Sequence, residues 1–257
     1  MPSPHDATLD PPSTVADRYA AVRARIEAAA LAAGRAPDEV ALLVATKTQG
    51  PAAIREVVAA GARLIGENRV QELVAKAPDL ADLVADGGVR VHMIGHLQRN
   101  KVNQVLATAT GVESVDSLAL AEALASRCVR EGRTLDVMVQ VNVSGEESKA
   151  GTGPDDAAQL SRQVAALEGL RLTGFMTIGK NSPDTALVRA GFERLRAIRD
   201  EVLASGSPGT GEARELSMGM SGDLEAAIAE GATIVRVGTA VFGARAGTAR
   251  DGTAPAG

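Results

Sequence analysis

The sequence predicts an α/β chain folded as a single (β/α)8 TIM barrel with an extra helix at its N-terminus. Three observations point there. Short apolar runs alternate eight times with amphipathic stretches. The length of 257 residues suits one such barrel, which takes about 250. No low-complexity linker interrupts residues 14–245, so these read as one domain. An open doubly wound sheet is the alternative, because the second and seventh strand candidates are short.

The extra helix spans Thr14 to Ala33, where Val15, Tyr19, Val22, Ile26 and Ala30 recur at three- and four-residue steps. Thr14 and Asp17 have capping-box spacing, and Gly34 is a natural stop. Val40–Ala45 is an apolar run that suits a buried parallel strand. Pro51 opens the next helix and Gly61 closes it. Arg63–Ile65 is a short strand, with a helix from Asn68 to Ala77. Val89–Ile94 is a strand and Leu97–Leu106 a helix. Val112–Val115 is a strand, and Asp116 or Ser117 caps the helix that runs to Arg130. Leu135–Val141 is the most strand-like run, followed by the polar loop Ser144–Gly153 and a helix from Pro154. Leu170–Thr173, Glu215–Leu216 and Thr233–Val237 complete the strands. Helices over Asp184–Leu203 and Gly222–Glu230 lie between them. Residues 1–13 and 246–257 read as a disordered lead-in and tail.

Composition excludes several classes. Lys plus Arg is 27 against 32 Asp plus Glu, a net charge of −5. That is the wrong sign for a general nucleic-acid binder. The single Cys128 gives neither a disulfide framework nor an all-Cys zinc site, and fits a reducing, cytoplasmic setting. No apolar run is long enough to span a bilayer, and the first residues lack the basic and apolar regions of a signal peptide. His92 and His96 have i,i+4 spacing, but they straddle a strand end and share no helical face, so no metal site is expected.

A barrel carries its chemistry at the C-terminal ends of its strands. Lys47 follows the first strand, with no acidic residue within seven positions on either side. A lysine partly desolvated at a barrel mouth has a lowered pKa and forms an imine with an aldehyde. The alternative is a lysine snorkelling to solvent. The loops after strands seven and eight are SMGMSGD and GTAVFG. Their small residues let backbone N–H groups approach an anion, and Ser217, Ser221 and Thr239 add hydroxyls. The alternative there is ordinary turn chemistry, with Ser221 capping the next helix. A strand-one lysine with a phosphate cradle at strands seven and eight points to pyridoxal 5′-phosphate. Arg236 shares a face with Ile234 and Gly238. Pointing inward, it sits beside the pyridine nitrogen and keeps it unprotonated; pointing outward, it pairs with a helix carboxylate.

At these residues the sequence resembles the YggS/PROSC-type pyridoxal-phosphate homeostasis proteins, which are related to the N-terminal barrel of alanine racemase. The matching stretches are VATKT around Lys47, GENRVQE at Gly66–Glu72, HMIGHLQRNK at His92–Lys101 and QVNVSGEESKAG at Gln140–Gly151. FMTI at Phe175–Ile178 and LSMGMSGDLEAAIAEGATIVRVGTAVFG at Leu216–Gly243 follow. The resemblance implies a Schiff base on Lys47, phosphate held by Ser217, Ser221, Gly238 and Thr239, and Arg236 facing the pyridine nitrogen. It implies Asn68 and Met218 as pocket lining and Lys149 as a second lysine for cofactor transfer. Val91, Ala45 and Arg69 stand where the family often has Trp, Ser and Tyr. None of these removes an implied cofactor contact.

The implied function is binding, buffering and delivery of pyridoxal phosphate without robust catalysis. Pyridoxal-phosphate-dependent apoenzymes are the expected partners, with no nucleic acid or membrane. The chain is expected as a monomer, a dimer being the alternative. The competing function is an amino-acid racemase of alanine-racemase type. That chemistry needs acid/base groups on both faces of the cofactor. The relative's second base is a tyrosine from a β-rich second domain, for which the sequence shows no room after Gly243. The one tyrosine here is Tyr19, on the first helix. His96 or Cys128 are the remaining candidates for a residual activity.

Overall fold

In a computed structural model, residues 14–85, 87–146, 149–180 and 182–243 are described; the lead-in and tail expectations fall outside them. Eight parallel strands close on themselves in sequence order. They are β1 (Ala41–Ala45), β2 (Leu64–Glu67), β3 (Arg90–Met93), β4 (Gly111–Val115), β5 (Leu135–Gln140), β6 (Leu170–Met176), β7 (Glu215–Ser217) and β8 (Ile234–Val237). Closure comes from β1, which pairs with β2 through Val44↔Ile65 and with β8 through Leu43↔Arg236. This excludes the open sheet.

The surrounding helices are α1 (Val15–Ala32), α2 (Pro51–Ala59), α3 (Val70–Ala85), α4 (Val102–Leu106), α5 (Leu118–Arg130), α6 (Pro154–Ala165), α7 (Thr185–Ala204), α8 (Leu224–Ala229) and α9 (Thr239–Phe242). The capping box of α1 is present, Thr14 and Asp17 bonding each other's backbone. Helix α3 differs from the expectation. It runs through Pro78 to Ala85 rather than stopping at Ala77. Burial of Leu80, with Leu83 packed behind it, offsets the hydrogen bond that proline removes. Strands β2 and β6 extend beyond expectation, to Glu67 and Met176. Neither extension alternates cleanly in the sequence, since β2 is buried along its whole length.

Period-two geometry sends alternate residues to opposite sides of the barrel wall. Val44, Ile65, Val235 and Val237 join the large layer under the helices. Leu43, Leu64, Ile94, Met138, Met176 and Ile234 form a smaller apolar cluster of their own in the barrel interior. Glycines set close approaches at the mouth. A Cβ at Gly95 would lie 2.0 Å from the Asn68 carbonyl oxygen, so the loop after β3 packs directly on the backbone after β2.

Gly95→Ala is therefore expected to destabilise the fold by about 1–3 kcal/mol in urea denaturation, as overpacking does. Gly211→Ala, where a Cβ meets open space, is expected to leave the midpoint nearly unchanged.

Candidate functional site at the C-terminal mouth

The residues after β1 form a tight turn. Gln49 N–H donates to the Thr46 carbonyl at 3.0 Å, and Thr48 has φ +64°. A positive φ at the third residue of such a turn is the type II geometry, which favours Gly or Asn. Thr48 is the sole non-glycine residue with positive φ among the described residues. Lys47 sits at the second position, exposed to solvent, and lines a cavity of about 270 Å³ with Ala45, Thr48, Gln49, Gly238, Thr239, Phe242 and Gly243. Of the two readings, the exposure is that of a lysine reaching solvent, while the same residue borders the cavity.

A buried ion pair underlies this turn. Lys76 reaches up from α3, and its Nζ donates to the Thr46 carbonyl at 2.9 Å and to Glu67 Oε1 at 2.7 Å. Glu67 Oε1 also accepts from the Thr46 hydroxyl at 2.5 Å. Glu72 Oε2 accepts from Thr48 N–H at 2.6 Å and lies 3.4 Å from Lys76 Nζ. Burial pushes the Glu72 carboxyl up, but the Thr48 N–H and Lys76 outweigh it and hold the group below its ordinary range. Sequence reading missed this cluster because Glu67, Glu72 and Lys76 look like the charges of a solvated helix start.

Arg236 does point inward. It is buried, and it donates to Ser217 Oγ at 2.8 Å and to the Thr177 carbonyl at 2.6 Å. Ser217 donates on to Glu113 Oε2 at 2.6 Å, and Glu113 Oε1 meets His92 Nδ1 at 2.8 Å. Gly111 makes room for that ring, since a Cβ there would lie 2.8 Å from it. Burial lowers the Arg236 guanidinium's affinity for its proton, an effect the Glu113 carboxylate opposes. Burial raises the Glu113 carboxyl, but His92, Arg236 and Ser217 together hold it below the ordinary carboxylate range.

Two of the expected residues are buried. The Ser217 hydroxyl is enclosed and engaged by Glu113 and Arg236. Met218, the next residue, points the opposite way by strand alternation. It is fully buried in the layer under the helices rather than lining the pocket.

The other expected residues divide into two places. Gly238 and Thr239 share the Lys47 cavity, and a Cβ at Gly238 would lie 2.9 Å from the Ala45 carbonyl oxygen. Asn68 is half-buried directly after β2. Ser221 is half-buried, and its carbonyl accepts from Arg25 of α1 at 2.8 Å. It does not cap α8, a position held by Asp223. Lys149 lines a separate cavity of about 460 Å³ with Met220, Gly222 and Asp223. Its Nζ bonds Glu146 Oε1 at 2.9 Å and the Gly179 carbonyl at 3.0 Å. His96 is exposed at the mouth, 3.3 Å from Asp116. Cys128 is buried in α5, where burial pushes its thiol up. A larger cavity of about 540 Å³ opens at the other end of the barrel. Among its charges, Arg171 pairs with Asp136 and Arg35 with Glu39.

The alanine racemase N-terminal domain family matches residues 18–246. A pyridoxal phosphate homeostasis protein from Pseudomonas aeruginosa is 46% identical over 233 residues, 91% of this chain and 96% of that protein. The chain belongs to this family. Among solved structures, an unknown protein from Bifidobacterium adolescentis is similar at 48% identity and a TM-score of 0.86, covering 89% of this chain and 94% of that one. PipY from Synechococcus elongatus, solved with pyridoxal phosphate bound, is 36% identical with a TM-score of 0.78 over 90% of this chain and 100% of that one. The family's barrel is thus shared along nearly the whole described length.

Removing Glu113 leaves the buried Arg236 and His92 without their carboxylate. Glu113→Ala is expected to cost about 3–5 kcal/mol in urea denaturation, and Glu113→Gln less, since its amide oxygen still accepts. Because the folded pKa is depressed, the charge-dependent stability is present above the ordinary carboxylate range and lost as pH falls through the folded value. Stability of Glu113→Gln should therefore fall less steeply with acid than that of the unmodified chain.

Proposed function

We propose that this chain binds pyridoxal phosphate at the C-terminal mouth and buffers or delivers it, without robust catalysis. The observation that carries the reading is the single cavity uniting Lys47 with Gly238 and Thr239, in a chain related to homeostasis proteins and to a structure with pyridoxal phosphate bound. Bound there, pyridoxal phosphate supplies an aldehyde that a lysine amine captures reversibly.

The residues fit that group. Lys47 forms no ion pair among the described residues and faces solvent, so its amine is open to an aldehyde. Gly238 and Thr239 open α9 directly beside it and supply backbone N–H groups and a hydroxyl for phosphate. Ser221 adds a second loop, and Asn68 borders the mouth. Arg236, fixed by Ser217 and Thr177, presents a permanent cation from below and supplies no acid to a ring nitrogen. Lys149 lies at the neighbouring cavity and serves transfer once it leaves Glu146 and Gly179.

Racemase chemistry needs a second acid/base group. Tyr19 does not provide it. Its ring lies against Gly61, just before β2, at the opposite end of the barrel. Cys128 is buried within α5, which leaves His96. No helix among the described residues is long and apolar enough to cross a membrane, and we place the chain in the cytoplasm on the grounds of its lone cysteine.

The purified chain with pyridoxal phosphate is expected to show visible absorbance that is lost in Lys47→Ala. Borohydride trapping and peptide mapping should locate the adduct on Lys47; a chain that stays colourless refutes the reading. Arg236→Met is expected to shift the absorbance. Chiral analysis after incubation with L- or D-alanine is expected to show no turnover near the 1–10³ s⁻¹ typical of enzymes.

A further inference from the structure

We propose that Lys76 is a positioning residue for Lys47, acting through Glu67 and Glu72 to hold the 46–49 turn in its strained form. The proposal rests on the assignment of Lys47 as the attachment lysine.

Two independent observations meet at this turn. The first is backbone strain. Thr48 occupies the left-handed region at φ +64°, which a β-branched residue adopts only against a steric penalty. Such a conformation persists only when its surroundings over-determine it. The second is a buried charge with no other evident role. The Lys76 side chain is 11% exposed and that of Glu67 is 3% exposed, in a part of the fold where apolar residues would pack at no electrostatic cost.

The bonds show what the charges do. Lys76 Nζ holds the carbonyl of Thr46, the residue before Lys47. Glu72 holds the N–H of Thr48, the residue after it. Glu67 fixes the Thr46 side chain. Both peptide units flanking Lys47 are therefore held by side chains from β2 and α3, and Lys76 joins the two holds by contacting Glu67 and Glu72 together. Lys47 contributes no hydrogen bond to this arrangement, so its amine stays available while its backbone is fixed. Reduced freedom of the reacting group before attack is what shortens the search for a productive geometry.

The test measures hydrogen exchange of the Thr48 amide and the rate of absorbance growth on mixing with pyridoxal phosphate. It uses the full chain and the variants Lys76→Met, Glu72→Ala and Glu72→Gln. Glu72 is partly exposed, so its variants are expected to fold even if Lys76→Met does not. Expected for Glu72→Ala and Lys76→Met is faster Thr48 exchange with attachment slowed about tenfold or more. Glu72→Gln, which keeps an acceptor for the Thr48 N–H, should recover most of both. Unchanged Thr48 exchange in Glu72→Ala overturns the clamp. Faster exchange with an unchanged attachment rate overturns its role in positioning. If the unmodified chain does not attach pyridoxal phosphate, the Lys47 assignment fails and the positioning role falls with it; the exchange measurement then still decides whether the clamp exists.

Discussion

An arginine inside an apolar barrel must find a carboxylate there, because an unpaired buried charge is too costly to retain. Arg236 finds Glu113 indirectly, through the Ser217 hydroxyl. That one demand organises much of the interior. It fixes which way Ser217 turns, and strand alternation then turns Met218 outward. It draws in His92 as a second partner for Glu113, and Gly111 is small so that the imidazole can lie there. A polar thread thus crosses a barrel otherwise filled by Leu43, Leu64, Ile94, Met138, Met176 and Ile234.

The mouth handles its charges differently. Arg236 is immobilised through its own side chain. Lys47 is left free at its amine while neighbours hold the backbone on either side. The contrast matches the two tasks proposed for them. A residue that presents a constant electrostatic environment works best rigid. A residue that makes and breaks a covalent bond needs an open amine at a defined place. Lys149 is a third case, a lysine already bonded to a carboxylate and a carbonyl, whose release has to precede any part in exchange.

The fold was largely legible because the apolar strands and the glycine and proline stops agree with one another along the chain. Strand ends were less so: β2 and β6 are buried past the point where alternation can be seen. Period two set Arg236 on one face with Ile234 and Gly238 but left inward and outward both open, and the bonds to Ser217 and Thr177 are what turn it inward; Gly238 and Thr239 meet the Lys47 cavity from their position after β8. A motif gives neighbours but not facing, so it leaves open that Ser217 turns toward Glu113 and Met218 under the helices; facing at a strand end depends on where the strand stops. The Lys76 cluster was invisible for another reason. Its members come from β2 and α3, and the pairing of β2 beside β1 is what brings them under the first turn.

Helix α1 binds both candidate anion loops. Arg25 holds the Ser221 carbonyl after β7, and Arg18 holds the Val241 carbonyl after β8 at 2.8 Å. The latter contact spans 223 positions. Contacts of such separation form late, after the loop-closure entropy of the intervening chain has been overcome. On the ribosome the first helix emerges early and waits, unpartnered on that face, until the last strand has been made. The loops after β7 and β8 are therefore fastened to α1 only once β8 has been made, so the proposed cofactor site is assembled together with the closed barrel.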